Sequence, residues 1–332
     1  MTNPDAQLNP NLFDTAKLEM SPTRAGYGQG LVMAGDENPN VVALCADLTE
    51  STFTHPFAKK FPERFFEMGV AEQNMATVAA GLGISGKVAF IASYATFSPG
   101  RNWEQIRTTI CYNNANVKVA GHHAGISVGS DGATHQATED IAMMRALPNI
   151  KVIVPCDAIE GKKATLAAAR VYGPVYLRFS REKSPVFTTD ATPFTPGKAQ
   201  ILWQSKKPEV LIVGCGALLY NALLAARDLE EDEKVGTIVL NSHTIKPLDD
   251  TAIVELAKKT GAVVTVEEHQ VAGGLGGAVA ELLASKAPTP IEFIGMQDTF
   301  GESGSPSQLL EKYGMGVASI KAAVKKVIKR KR

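Results

Sequence analysis

The strongest constraint on the fold is the alternation of short apolar runs with segments of helical periodicity along most of the chain. Continuous runs rich in Val, Ile and Ala are typical of strands that are buried on both faces of a parallel sheet. Parallel strands need crossover connections, which the intervening helical segments provide. We therefore predict two doubly wound α/β domains with mostly parallel sheets. The predicted strands of the first domain are 41–47, 87–94, 116–122, 151–156 and 174–179.

A Pro-, Thr- and Lys-rich stretch, 184–208, separates this block from a second alternating block. Parts of the stretch can pair as edge strands, but its composition favours an interdomain connection. We predict a first domain over 1–190, a linker over 191–208 and a second domain over 209–332. A chain of 332 residues is long enough for two cores. The predicted strands of the second domain are 209–216, 234–241, 261–268 and 290–296.

The charge balance gives the chain no electrostatic reason to bind nucleic acid or a membrane. Its 34 Lys and Arg residues equal its 34 Asp and Glu residues. No apolar run approaches the roughly 18 residues that a membrane span needs, and the polar start lacks the pattern of a signal peptide. The four cysteines lie far apart, so we expect neither a disulfide framework nor a zinc cluster, and a cytoplasmic location.

The C-terminal segment KAAVKKVIKRKR has a strong excess of Lys and Arg. Such a segment is typical of a solvated, frayed helix at the end of a domain. A docking tail is the alternative interpretation. We predict the frayed helix.

Unusual chemistry is concentrated in the segment GHHAGISVGSDGATHQ (121–136), which follows a predicted strand. It places His123, Asp131 and His135 among glycines, whose small size lets the backbone approach a ligand closely. Zinc binding is a rival interpretation, but no compact ligand set such as His-Glu-x-x-His is present. The segment therefore predicts a binding or catalytic loop.

One carboxylate, Glu72, lies at the start of the small, apolar segment FEMGVAEQNMATVAAGLG (66–83). Taken alone, a carboxylate at a helix N-terminus most often interacts with the helix dipole. The residue types of this segment leave a catalytic role open.

Three segments together resemble the C-terminal half of transketolase: EMGVAEQNM, YLRFSRE and GISVGSDGATHQATEDIAMMRALPNIKVIVPCD. The resemblance extends over essentially the whole chain, as a pyrimidine-binding domain followed by the C-terminal domain. In that family the other half carries a Gly-Asp-Gly motif followed by Asn, which binds Mg²⁺ and the diphosphate of thiamine diphosphate. This chain lacks that motif.

The resemblance thus implies the second subunit of a split transketolase. It implies thiamine diphosphate as cofactor, with the pyrimidine half bound here, no metal ligand in this chain, and Mg²⁺ bound mainly by an N-terminal-half partner. Because cofactor sites straddle two chains in the family, we hypothesise an α₂β₂ assembly.

The resemblance also assigns roles around the cofactor. It implies that Glu72 faces N1′ of the aminopyrimidine and, by sharing a proton, promotes the imino tautomer. A carboxylate suits this task because charge-assisted hydrogen bonds are strong. Tyr94 and Phe97 match aromatics that pack against the pyrimidine, while a family tyrosine falls near Gly100. Asp47 matches an acid near the cofactor, with a strand-end turn former as the alternative.

For the substrate, the resemblance implies that His135 and Asp131 contact the carbonyl and hydroxyl region of the donor. Histidine can give or take a proton near neutral pH, and we predict that His135 is catalytic. The residues that match the sugar-phosphate site are Arg24, Ser51, His123 and Arg181.

The implied reaction transfers a two-carbon ketol unit from a ketose phosphate to an aldose phosphate. The alternatives are the β subunit of a 2-oxoacid dehydrogenase, an enzyme similar to 1-deoxyxylulose-5-phosphate synthase, and a regulatory partner subunit without activity. The DGATHQ segment and the pair Arg24 and Arg181 favour sugar phosphates, because two guanidinium groups offer bidentate contacts to phosphate.

Overall fold

In the computed structural model, residues 1–331 are described and form two parallel-sheet units flanked by helices. Short 3₁₀ turns lie at Pro4–Ala6, Pro62–Arg64 and Ile126–Asp131, and a π-helical turn lies at Ile106–Cys111. The strands are β1 Met20–Ser21, β2 Val41–Cys45, β3 Phe65–Glu67, β4 Val88–Tyr94, β5 Val117–His122, β6 Lys151–Ile153, β7 Val175–Arg178, β8 Ser184–Pro185, β9 Gln200–Gln204, β10 Val210–Gly214, β11 Thr237–Asn241, β12 Thr244–Lys246, β13 Val263–Gln270 and β14 Ile291–Met296. The helices are α1 Thr23–Glu37, α2 His55–Lys60, α3 Glu72–Ile84, α4 Trp103–Gln105, α5 Asp140–Arg145, α6 Ala158–Arg170, α7 Leu219–Asp232, α8 Asp250–Thr260, α9 Leu275–Lys286, α10 Pro306–Lys312 and α11 Val317–Ile328.

The first sheet has the strand order β12-β6-β7-β5-β4-β2-β3, and only β12 runs antiparallel to its neighbour. On one face, Tyr27 and Leu31 of α1 pack in a cluster with Phe90 of β4. On the other face, Met75 and other residues of α3 pack against Ile91. Helices cover both faces of the first sheet, which explains why its strands are continuous apolar runs.

The second sheet has the order β14-β13-β10-β11-β9, with β9 antiparallel to β11. Leu223 of α7 and Val324 of α11 pack with Ile212 on one face. Ile253 of α8 and Val279 of α9 cover the other face. The two sheets confirm the predicted fold class.

The division into 1–190, a linker at 191–208 and 209–332 stays a proposal. Strand β9 lies inside the proposed linker and forms the edge of the second sheet. Strand β12, which follows the second sheet's β11 in the chain, pairs instead with β6 of the first sheet. Sequence periodicity predicts a strand but not the sheet that it joins, so the sheet positions of β9 and β12 are known only from the structure.

Helix α1 was not among the predicted elements, and its glycines explain why. Gly26 and Gly30 lower intrinsic helix propensity, yet both are needed where α1 crosses α6. A Cβ atom added at Gly26 would lie 1.9 Å from the carbonyl oxygen of Ala158, and one at Gly30 would lie 2.7 Å from that of Lys162. Tertiary packing, rather than propensity, stabilises this helix.

The C-terminal segment forms the predicted helix, α11, which ends at Ile328. Ile320, Val324 and Val327 are buried on one face. On the other face, Lys325 pairs with Glu233 at 3.1 Å and Lys326 pairs with Glu292 at 2.8 Å. The basic residues are therefore largely engaged within the domain.

None of the described helices combines the length and apolar character needed to cross a bilayer. Within residues 1–331, no three His, Cys, Asp or Glu side chains come together as a metal-ligand cluster.

Candidate active site

The predicted site residues follow the carboxyl ends of neighbouring parallel strands in the first sheet. Asp47 follows β2, Tyr94 ends β4, His123 follows β5 and Arg181 follows β7. Glu72 begins α3, the helix after β3. Open parallel sheets bind ligands at this edge, so topology alone brings distant parts of the chain to one region.

Glu72 is almost completely buried, with 4% of its surface exposed, at the first position of α3. Arg101 donates a hydrogen bond from Nη1 to Glu72 Oε1 at 3.1 Å. The buried Asn102 donates from Nδ2 to the backbone carbonyl of Glu72 and to Ser98 Oγ, both at 3.1 Å. The carboxylate borders an open concavity of about 520 Å³ lined by Val70, Ala71, Glu72, Gln73, Asn74 and Arg101.

Four rings form an aromatic cluster beside this carboxylate. Tyr94 stacks on His123 with ring centroids 3.8 Å apart and on Phe97 at 5.8 Å. His135 meets Phe97 edge to face at 5.6 Å. The guanidinium carbon of Arg101 lies 4.1 Å from the centroid of Phe97. One flat face of Phe97 therefore carries the same cation that pairs with the buried carboxylate.

A cationic cluster lies beside His123. Arg24 Nη1 lies 3.4 Å from His123 Nε2 and donates to the backbone carbonyl of Ser51. Arg181 donates from Nη1 to the carbonyl of Val128 at 2.7 Å. Burial, reinforced by Arg24 and Arg181, lowers the pKa of His123 to about 3, so this imidazole is neutral.

One ring nitrogen of the neutral His123 is buried and has no hydrogen-bond partner within residues 1–331. If Nε2 accepts from Arg24, the ring proton lies on Nδ1, which has no hydrogen-bond partner within residues 1–331. His123 also has a left-handed backbone, with φ of 52°, and non-glycine residues in this region often mark functional sites. An N–H donor beside two guanidinium groups suits an anionic ligand.

The loop that carries Asp131 and His135 is held by the second sheet's domain. Glu268, in the last half of β13, accepts a hydrogen bond from the backbone N–H of Ser127 at 2.5 Å. Burial raises the pKa of Glu268. Gln136 donates to the carbonyl oxygen of Ile126 at 3.1 Å. Thr134 Oγ1 lies 2.9 Å from His135 Nδ1, which orients the ring and directs Nε2 away from the threonine.

Two predicted residues stand apart from the aromatic and cationic clusters. The side chains of Asp47 and Asp131 are exposed, and neither carboxylate hydrogen-bonds to another predicted site residue in the described chain. Ser51 contributes its backbone carbonyl to Arg24. The structure thus brings Tyr94, Phe97, His123, His135, Arg24 and Arg181 together, with Glu72 joined to them through Arg101.

Sequence reasoning assigned no role to Glu67, Arg101 or Asn102. Glu67 accepts hydrogen bonds from the backbone N–H groups of Asp47 and Gly69, at 2.7 and 3.0 Å, and from Thr49 Oγ1 at 2.8 Å. It thereby ties the loop after β2 to the turn before α3. Its position in the segment that contains Glu72 was a signal that it borders the site, but its partners depend on strand pairing.

Comparison with known proteins decides the family. The family model described as "Transketolase, pyrimidine binding domain" matches residues 19–186, and "Transketolase, C-terminal domain" matches residues 197–320. The chain belongs to the transketolase family. The transketolase pyrimidine-binding domain implies thiamine diphosphate as cofactor.

Relatives match this transketolase-family chain over its length. It is 43% identical over 310 residues to the putative transketolase C-terminal section of Methanocaldococcus jannaschii, covering 92% of this chain and 96% of the relative. It is 38% identical to a 6-deoxy-6-sulfo-D-fructose transketolase subunit of Clostridium sp., covering 95% and 97%. Against human transketolase, at 35% identity, 92% of this chain covers 49% of the relative.

A solved structure described as a split gene transketolase, inactive beta4 tetramer, is also similar. It shares 48% identity and a TM-score of 0.87 with this chain, over 94% of this chain and 99% of that one. The transketolase of Leishmania mexicana, at 24% identity and a TM-score of 0.78, supports the fold alone. The resemblance predicted from sequence is confirmed.

Proposed function

We propose that this chain is the second subunit of a split, thiamine diphosphate-dependent transketolase. With an N-terminal-half partner, it transfers a two-carbon ketol unit from a ketose phosphate to an aldose phosphate. The observation that carries the proposal is the buried carboxylate of Glu72, which opens onto a concavity beside the face of Phe97.

These residues fit the aminopyrimidine half of the cofactor. A flat ring on Phe97 with a nitrogen facing Glu72 would satisfy an aromatic face and a buried carboxylate at once. When bound, thiamine diphosphate supplies the electron sink for breaking and forming the carbon–carbon bond. Glu72 would hold or share a proton at a ring nitrogen, and its burial makes that hydrogen bond strong.

The aromatic side chains orient the ring. Phe97 offers the stacking face, and Tyr94 packs behind it at a ring-centroid distance of 5.8 Å. Stacking of this kind contributes about 0.5–1.5 kcal/mol beyond area burial. Asp47, which is exposed at the end of β2, is proposed to lie near the cofactor and the subunit contact.

The cationic cluster would bind the substrate phosphate. Arg24 and Arg181 supply positive charge, and His123 supplies a buried N–H donor. Ser51 keeps Arg24 oriented through its carbonyl oxygen. Burial, together with the neighbouring Arg181, lowers the pKa of Arg24, and an arriving phosphate dianion would offset the repulsion between the two guanidinium groups.

Proton transfer at the substrate is assigned to His135. Its Nδ1 is engaged by Thr134 at 2.9 Å, which leaves Nε2 for a substrate hydroxyl or carbonyl oxygen. Asp131, on the same loop, is proposed to contact the donor's hydroxyl groups. A positioned histidine typically contributes about 10²–10⁴ in rate as a general acid or base.

The N-terminal-half partner would complete the open side of the concavity and bind Mg²⁺ and the diphosphate. Two observations support this assignment. The Gly-Asp-Gly motif is absent from this sequence, and a related solved structure is described as an inactive beta4 tetramer. An α₂β₂ assembly would place each cofactor between two chains.

The test mixes this chain with the first-half transketolase subunit of the same genome, thiamine diphosphate, Mg²⁺, xylulose 5-phosphate and ribose 5-phosphate. We expect products from the mixture and none from either chain alone. Robust conversion by this chain alone would contradict the need for a partner. Acceptance of pyruvate with a lipoyl domain, in place of sugar phosphates, would indicate a 2-oxoacid dehydrogenase subunit.

A further inference from the structure

The side chain of Arg101 lies in the slot between Glu72 and Phe97. Its Nη1 is 3.1 Å from Glu72 Oε1, and its guanidinium carbon is 4.1 Å from the centre of the Phe97 ring. A guanidinium group is a planar cation with N–H donors along its edge. It therefore makes with Glu72 and Phe97 the same two contacts, an edge-on hydrogen bond and a stack, that an aminopyrimidine would make.

We propose that Arg101 occupies the aminopyrimidine position in the cofactor-free chain and leaves when the cofactor binds. This inference rests on the proposed function, because it takes the Glu72–Phe97 slot as the pyrimidine site. The face of Phe97 that carries Arg101 cannot stack on a second planar group at the same time. Arg101 and the cofactor therefore compete for the slot.

The burial of Glu72 explains why its carboxylate needs a counter-ion before the cofactor binds. The side chain of Glu72 is 5% exposed, whereas that of Arg101 is 51% exposed. A buried carboxylate without a partner destabilises a fold. A counter-ion at Glu72 therefore stabilises the chain until the cofactor binds. Arg101 provides one from the solvent side, where its departure requires no change in the core.

The backbone around Arg101 allows the side chain to move while its anchor stays in place. The N–H of Arg101 donates to the carbonyl of Phe97 at 2.9 Å. Gln73 Nε2 reaches the carbonyl of Arg101 at 3.4 Å. These bonds hold the main chain at the rim of the concavity, so that rotation of the long side chain alone opens the slot.

The test measures binding of 4-amino-5-hydroxymethyl-2-methylpyrimidine to the full chain by NMR titration. This probe lacks the diphosphate and the thiazolium ring, so it does not depend on the partner's site. The variants are Arg101→Ala, which empties the slot, and Arg101→Met, which keeps an alkyl chain on Phe97 without charge. Arg107→Ala, an exposed arginine on the following turn, is the matched control. Glu72→Gln and Phe97→Ala define the site.

We expect Arg101→Ala to tighten probe binding about tenfold, because a partly exposed ion pair and a cation–π contact no longer compete. Arg101→Met should tighten it less, and Arg107→Ala should leave it unchanged. The free Arg101→Ala chain should unfold at lower urea concentration than wild type, since Glu72 loses its counter-ion.

The two ways of failing are distinct. If probe binding depends on Glu72 and Phe97 but is unchanged or weakened in Arg101→Ala, the competition is refuted and the proposed function stands. If Glu72→Gln and Phe97→Ala bind the probe as wild type does, or if neither wild type nor Arg101→Ala binds it, the slot is not the pyrimidine site. Both the inference and the proposed cofactor site then fall.

Discussion

Replacement of Asp140 by Asn should cost this protein a large part of its stability. Asp140 accepts hydrogen bonds from Arg178 Nε at 2.8 Å, from Arg178 Nη2 at 3.1 Å and from the Tyr176 hydroxyl at 2.6 Å. Arg178 Nη2 also donates to the carbonyls of Ala137 and Glu268. The pair thus joins the first sheet, the end of the loop that carries Asp131 and His135, and the second domain.

The magnitude follows from burial. The side chains of Arg178 and Asp140 are 6% and 2% exposed, and asparagine would leave the guanidinium charge without a counter-ion. Breaking a buried pair from one side costs about 3–5 kcal/mol. Against a typical total of about 5–15 kcal/mol, this is roughly a fifth or more of the unfolding free energy.

The assay is urea unfolding of the purified chain, followed by circular dichroism. The matched control is Asp190→Asn, which removes the exposed Lys162–Asp190 pair and should cost at most about 1 kcal/mol. The double replacement Asp140→Leu with Arg178→Met should recover part of the loss, because apolar residues of similar volume can replace a buried ion pair, while the Tyr176 hydroxyl still loses its acceptor. An Asp140→Asn cost within about 1 kcal/mol of the control would refute the reasoning.

The same pair predicts a dependence on acid. Burial acts to raise the pKa of Asp140, but Arg178 outweighs it and holds the pKa below its usual value. The stabilisation is therefore present above the unfolded carboxyl's pKa and is lost as pH falls below it.

Three further predictions follow from local geometry. Burial and the neighbouring Asp157 raise the pKa of Glu160 to about 7, so the folded chain holds a proton that the unfolded chain releases and stability from this group falls as pH rises through 7. In urea unfolding between pH 5 and 7, the unfolding free energy of Glu160→Gln should therefore fall less steeply with pH than that of wild type, by about 1 kcal/mol per pH unit. Gly125→Ala should destabilise the fold by about 1–3 kcal/mol, since φ is 86° and the new Cβ would lie 2.4 Å from Glu268 Oε1; Gly81→Ala, whose Cβ meets nothing within 4 Å, should stabilise by about 0.5–1 kcal/mol. Inorganic phosphate should raise the pKa of His123 from about 3, as followed by ring-proton NMR.

Each of these has a result that contradicts it. Parallel pH profiles for wild type and Glu160→Gln would mean that the carboxyl is not protonated near neutrality. Equal effects of alanine at Gly125 and Gly81 would mean that loop 125–131 is not held against Glu268. A His123 signal that is indifferent to phosphate, while Arg24 and Arg181 are intact, would place the anion elsewhere.

The nine predicted strands all appear in the structure, because helices cover both faces of each sheet and leave a continuous apolar signal in the sequence. Helix α1 could not, because Gly26 and Gly30 serve its contact with α6 and weaken its local signal. Strand β12 is a short segment whose partner β6 lies in the other domain's sheet. Such pairing depends on long-range packing that local periodicity does not encode.

The candidate site divides in the same way. His135 lies in a segment whose residue types already indicate chemistry, whereas the role predicted for Glu72 comes from the resemblance to transketolase. Arg101 reaches Glu72 only because two loops meet above the sheet. Glu67 accepts hydrogen bonds from the backbone N–H groups of Asp47 and Gly69. No sequence pattern predicts contacts of this kind.

The central claim is that Glu72 activates a cofactor in a pocket that a second chain completes. The most direct measurement is the rate at which the C2 proton of bound thiamine diphosphate exchanges for deuterium in the complex with the N-terminal-half subunit, followed by quenched-flow NMR. Wild type should exchange quickly, and Glu72→Gln, with cofactor bound and fold intact, should slow the exchange by about 100-fold or more. Equal exchange rates in the two complexes would contradict the account.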